Sequence, residues 1–224
     1  IPGIHEIVGG QVNLSRIREV TIEDLLGREP IALESDDVAG EIRDRVVLVS
    51  GAGGSIGSEL ARQLCAFRPR KLILLEQAEN SLFEIHRELV AKCPTIAEAI
   101  VPRIGDICDG ARMQKLFRTH RPEIVFHAAA HKHVPMMELN PGEAVKNNVF
   151  GTKTLADIAH ATGVREFVMI STDKAVNPTS VMGVAKRTAE IYIQALSERS
   201  DTRFVTVRFG NVLGSAGSVV PIFQ

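Results

Sequence analysis

Directly after an apolar run at 46–50, the chain reads Gly51-Ala52-Gly53-Gly54-Ser55-Ile56-Gly57, a G-x-x-G-x-x-G spacing carried by Gly51, Gly54 and Gly57. A turn of this kind brings backbone N–H groups against a pyrophosphate at the start of a helix. A side chain there would block both that approach and the helix–strand contact. Gly51, Gly54, Ser55, Ile56 and Gly57 are therefore cofactor-binding candidates. No Lys-Ser/Thr pair follows the last glycine, which excludes a Walker loop. Glu76 ends the second apolar run about 20 residues later, where an acid accepts hydrogen bonds from an adenosine ribose. A carboxylate at that place repels a 2′-phosphate, so NAD is favoured over NADP. Asp106 and Ile107 follow the third run and are expected to flank the adenine. Ala128 and Ala129 follow the fourth and offer small side chains where a backbone must pass close to the cofactor.

These residues need a scaffold that ends several strands along one edge. Six short apolar, β-branched runs supply it, at 46–50, 71–75, 99–104, 124–127, 166–170 and 203–208. Between them lie segments with apolar residues at helical spacing, at 55–66, 80–91, 110–120, 141–162 and 181–198. The alternation predicts an α/β fold, a Rossmann-like doubly wound parallel sheet with strand order 3-2-1-4-5-6. Residues 1–43 differ and read as an N-terminal arm with one short helix, signalled by a capping box at Thr21-Ile22-Glu23-Asp24. Residues 44–224 form the dinucleotide-binding domain. The start at Ile1 and the apolar run at the end read as a piece of something longer, its substrate-binding C-terminal part truncated.

Composition narrows the function classes. With 26 basic and 27 acidic residues the net charge is -1, so no overall field attracts nucleic acid. Three cysteines are too few for a disulfide framework and suit a reducing, cytoplasmic compartment. There is neither an apolar stretch long enough to span a membrane nor a signal peptide. His127, His131 and His133 cluster, but no carboxylate or cysteine completes a tetrahedral set, and no metal is expected.

Several segments together resemble the extended short-chain dehydrogenase/reductase superfamily, and within it the membrane-anchored nucleotide-sugar 4,6-dehydratases of polysaccharide biosynthesis. They include His127-Ala128-Ala129-Ala130-His131-Lys132-His133-Val134-Pro135, Asn148-Val149-Phe150-Gly151-Thr152, Ser171-Thr172-Asp173-Lys174-Ala175-Val176-Asn177-Pro178-Thr179, Met182-Gly183-Val184-Ala185-Lys186-Arg187 and Arg208-Phe209-Gly210-Asn211-Val212. In the superfamily a tyrosine and a lysine sit four apart on one helix. Here Lys186 is present, position 182 is Met, and the only tyrosine, Tyr192, lies beyond the lysine. The anchored dehydratases carry a methionine at that place, so Met182 counts for that subgroup and against ordinary epimerases.

The resemblance implies NAD-dependent 4,6-dehydration of a UDP-linked N-acetylhexosamine, with UDP-N-acetylglucosamine the favoured substrate. Asp173 then protonates the leaving C6 hydroxyl, Lys174 takes the C5 proton, and Thr172 contacts the C4 hydroxyl. Burial is expected to raise the Asp173 pKa and lower that of Lys174. Asn148 is expected to order water near the nicotinamide and Lys186 to hold its ribose. Asn211 is assigned to the substrate diphosphate, and Lys132 to the cofactor or sugar. The resemblance also implies membrane helices before Ile1, placing the whole protein at the cytoplasmic face of the inner membrane, and it leaves the oligomeric state open, a homo-oligomer included. Two alternatives stand: a non-catalytic NAD-binding or assembly module, and a nucleotide-sugar 4-epimerase. Met182 and the Asp173–Lys174 pair disfavour the epimerase.

Overall fold

The structure is a computed structural model that describes residues 36–212. In chain order it contains α1 (Asp36–Ile42), β1 (Val46–Ser50), α2 (Ser55–Ala66), β2 (Lys71–Glu76), α3 (Glu79–Lys92), β3 (Ile100–Ile104), α4 (Gly110–His120), β4 (Ile124–His127), α5 (Val134–Leu139), α6 (Pro141–Ala144), α7 (Thr152–Thr162), β5 (Glu166–Thr172), α8 (Val181–Ser197) and β6 (Arg203–Phe209). The six strands form one parallel sheet in the order β3-β2-β1-β4-β5-β6, as the sequence predicts.

Strand alternation divides the core into two layers. Leu48, Ile73, Leu75 and Val125 pack against Phe117, Leu155 and Ile193 from α4, α7 and α8. Val47, Val49, Leu72 and Leu74 face the opposite way, onto Leu64, Ile85 and Leu89 from α2 and α3. Every residue of β1 is buried because helices cover both faces. Each fully buried side chain of this size contributes about 1.5–3 kcal/mol. β6 differs: most of its residues are exposed, and it forms one edge of the sheet among the described residues.

Three departures from the sequence reading bear on the site. The segment expected to be one helix over 141–162 is interrupted by a π-helical stretch, Val145–Gly151. The wider turn brings Asn147 and Asn148 inward together, leaving them 7% and 0% exposed; π stretches of this kind recur at functional positions. A short helix, α5, lies ahead of residue 141 where no helical segment is expected, and Pro135 fits its first turn because its missing N–H costs nothing there. Finally, β5 extends two residues beyond the expected end, to Thr172. The capping box at 21–24, the expected arm helix and the apolar run at the end lie outside the described residues. Among the described residues, no helix is long and apolar enough to cross a membrane.

Candidate active site

A cleft of about 220 Å3 opens at the carboxyl edge of the sheet, between the turn after β1, the end of β2 and the loop after β4. Two glycines set its shape. Gly51 has φ +68°, and a Cβ on it would lie 2.7 Å from both the nitrogen and the Cα of Ala129. Gly57 lets α2 close onto the turn, since its Cβ would lie 2.0 Å from the Gly51 carbonyl oxygen. The start of α2 carries no side-chain cap and no acidic residue in its first turn. Such a helix end favours an anion.

Glu76 closes the other side. Its Oε2 accepts from the Gly53 N–H at 3.1 Å and its Oε1 from the N–H groups of Gln77 and Ala78 at 2.9 and 3.1 Å. The acid is thereby held against the glycine turn. Of the expected cofactor residues, Gly51, Gly54, Glu76, Ile107, Ala128 and Ala129 line the cleft. Ser55, Ile56 and Gly57 form the helix start behind it, and Asp106 instead accepts the Cys108 N–H at 2.8 Å. Gly53, Ser81, Gly105, His131 and Asn147 also line it and were missed. Gly53, Gly105, His131 and Asn147 each stand next to a residue that was named, whereas Ser81 has no such signal.

A buried hydrogen-bond chain runs beneath the cleft. The Ser50 hydroxyl lies 2.7 Å from His127 Nδ1, and His127 Nε2 lies 2.9 Å from Thr152 Oγ1. The single Thr152 hydroxyl proton goes to the Asn148 carbonyl at 2.7 Å. His127 Nε2 must therefore donate, and Nδ1 accepts from Ser50. Asn148 completes the chain: its Nδ2 donates to the His131 carbonyl at 2.9 Å, and its Oδ1 accepts the His131 N–H at 2.8 Å. Its amide pins the loop after β4, and its neighbour Asn147 lines the cleft.

Burial, aided by the Lys186 charge, pushes the His127 imidazole down to about 3. Below pH 6.5 the unfolded histidine binds a proton that the folded one refuses, so the unfolded state gains protons and stability falls. Above pH 6.5 the site makes no difference. Denaturant titrations below pH 6.5 are expected to lose stability towards pH 4, with a slope from this residue that approaches about 1.4 kcal/mol per pH unit once the pH is well below 6.5. That component should be missing from the pH slope of His127→Gln.

The polar residues at the end of β5 form a second constellation. The Thr172 hydroxyl donates to Asp173 Oδ1 at 2.9 Å, and Lys174 Nζ donates to the same oxygen at 3.1 Å and to Asn211 Oδ1 at 3.0 Å. Asn211, expected on a diphosphate, is here a partner of Lys174. Asp173 and Lys174 are 56% and 39% exposed, so burial does not raise the carboxyl pKa as expected. Hydrogen bonds from Thr172 and then Lys174 hold Asp173 below the ordinary carboxylate value instead.

Lys186 lies one helical turn after Met182 on α8 and is buried, donating to the Ile170 carbonyl at 2.7 Å. Desolvation lowers its pKa to about 8. Met182 is also buried, packed with Met137, Ala144 and Ala185, so it fills space as core and presents no polar atom. Tyr192 donates to Asp157 on α7 and cannot stand in for a phenol at position 182. Lys132 is exposed on the loop after β4.

A profile of the family described as "Polysaccharide biosynthesis protein" matches residues 47–224. The capsular polysaccharide biosynthesis protein CapD of Staphylococcus aureus is 49% identical over 225 residues, covering 100% of this chain and 37% of that protein. A UDP-N-acetylglucosamine 4,6-dehydratase (inverting) of Campylobacter jejuni is 35% identical over 182 residues, covering 80% of this chain and 52% of that enzyme. The X-ray structure of Pen from Bacillus thuringiensis superposes with a TM-score of 0.76 at 36% identity, over 81% of this chain and 57% of that one. The chain thus spans 37% to 52% of the length of these two curated relatives.

Proposed function

Because the chain belongs to the polysaccharide biosynthesis protein family, we propose that it supports NAD-dependent 4,6-dehydration of a UDP-N-acetylhexosamine, with UDP-N-acetylglucosamine as substrate. One observation carries the reading. A hydroxyl, a carboxylate and an ammonium group are hydrogen-bonded together at the carboxyl end of β5, the sheet edge that also holds the glycine cleft.

The cleft fits a dinucleotide: the Gly51 and Gly57 contacts leave backbone where a pyrophosphate would lie, and Glu76 stands where the adenosine ribose would be held. When bound, that cofactor supplies the acceptor that takes hydride from C4 and later returns it to C6. The chain's own residues manage the protons. Thr172 accepts the C4 hydroxyl proton while passing its own to Asp173, 2.9 Å away. The hydrogen bonds from Thr172 and Lys174 that hold its pKa low keep Asp173 ionised, with an oxygen placed to receive that proton. Once protonated, Asp173 is the acid that the C6 hydroxyl needs in order to leave as water.

Lys174 acts as a neutral amine after giving one proton to solvent, and it takes one back from solvent when the turnover is complete. The neutral amine takes the C5 proton and gives it back at C5 when hydride arrives at C6. The protons balance. The C4 hydroxyl proton leaves in water, and the C5 proton is only borrowed.

Incubation of the protein with NAD and UDP-N-acetylglucosamine, followed by mass spectrometry and NMR, tests the reading. The expected product has lost one water and carries a 4-keto, 6-deoxy ring. A C4 epimer without loss of water would overturn the proposal in favour of an epimerase. Calorimetry is expected to show NAD binding at least ten times tighter than NADP, and the reverse order would remove Glu76 from the ribose site.

A further inference from the structure

Helix α8 grips the end of β5 at successive residues. Lys186 donates to the Ile170 carbonyl, and one turn later Glu190 accepts from the Ser171 hydroxyl at 2.6 Å. Glu190 is only 5% exposed, and its carboxylate is fully engaged. Oε1 also accepts from Arg208 Nε at 2.8 Å, while Oε2 accepts from Arg208 Nη2 at 2.5 Å and Arg187 Nη1 at 3.1 Å. Arg208 thus meets the carboxylate with two parallel bonds, the arrangement that best fixes both direction and distance.

Ser171 and Arg208 are direct partners in the β5–β6 register. Their side chains leave the same face of the sheet and converge on Glu190. The pairing continues past the ladder. A Cβ on Gly210 would lie 3.6 Å from Asp173 Oδ2, and Lys174 Nζ reaches Asn211 at 3.0 Å. The contact between Lys174 and Asn211 is therefore the third step beyond a register pair that Glu190 locks. A slip of β6 by one residue would bring a different residue to Lys174.

We propose that Glu190 is a positioning residue: by clamping Ser171 and Arg208 it fixes the register that sets Asp173 and Lys174 against Asn211. The kinetic part rests on the dehydratase reading above; the register part does not. Burial pushes the Glu190 carboxyl up, and hydrogen bonds from Arg208, Ser171 and Arg187 overcome this to hold it at about 2. It is a fixed anion at any working pH, neither acid nor base.

The test is Glu190→Gln, which keeps the volume and removes the charge. Three quantities are read: NAD affinity by calorimetry, kcat and KM for UDP-N-acetylglucosamine, and amide hydrogen exchange along the sheet. Expected are NAD affinity within threefold of the parent, kcat lowered at least tenfold and KM within threefold. Exchange should quicken at least tenfold at 207–209 relative to 203–205, while 46–50 stay protected. If the variant does not fold, Arg208→Lys carries the same readouts, since it keeps the charge but loses the fork.

Unchanged kcat and exchange would overturn the proposal. So would a kcat loss matched by an equal loss of NAD affinity and by uniform loss of protection, which is a general structural defect. If the parent makes no dehydrated product, the reaction reading fails, and the exchange pattern alone then decides the positioning role.

Discussion

Gly57→Ala is expected to abolish measurable NAD binding and to destabilise the fold by about 3 kcal/mol. The new Cβ would sit 2.0 Å from the Gly51 carbonyl oxygen and 2.7 Å from its carbon. Both are backbone atoms of a turn that is itself pressed against Ala129, so neither side can yield without opening the cleft. Gly110→Ala is the control. Its Cβ would meet only Thr154 Cγ2, at 3.7 Å, an ordinary contact at the start of α4. Denaturant midpoints and calorimetric titration should leave this second variant close to the parent. Parental NAD affinity in Gly57→Ala would remove the cofactor from this crevice.

Lys174→Met and Asp173→Asn are each expected to lower turnover at least 100-fold, the scale of a positioned acid or base. Their folds should survive, because both side chains are more than a third exposed. The two variants should stop at different points. Asparagine can still accept the Thr172 hydrogen bond but cannot take a proton, so Asp173→Asn should stall before oxidation and accumulate no reduced-nicotinamide absorbance. Lys174→Met retains the Thr172–Asp173 contact and should oxidise C4, then halt, with that absorbance building up in a single turnover. Near-parental turnover in both would end the assignment of either residue, and identical stalling would end the division of labour.

The sheet was readable from the chain because its signals are local and repeated. Val46–Val49 and Leu72–Leu75 are apolar without alternation, as strands buried on both faces require, and the glycine turn marks the switch from β1 to α2. The cleft was half readable. Gly51, Glu76 and Ala129 follow from what a dinucleotide needs, whereas Ser81 and His131 reach it only through packing. That Asn147 reaches the cleft while Asn148 pins the loop after β4 depends on the π stretch, and no spacing rule announces one extra residue in a turn. The Asp173 pKa was misjudged for a related reason. Sequence shows that a carboxylate stands beside a lysine, but exposure and the direction of the Thr172 hydroxyl decide which way it moves.

The groups sealed inside this end of the molecule have ionisations moved well away from their ordinary values. Glu190 sits at about 2, His127 at about 3 and Lys186 at about 8. Between about pH 4 and 6 none of the three changes its charge. A step in a rate profile within that window belongs to the solvent-facing groups or to the sugar nucleotide, whereas a limb near pH 8 also carries Lys186.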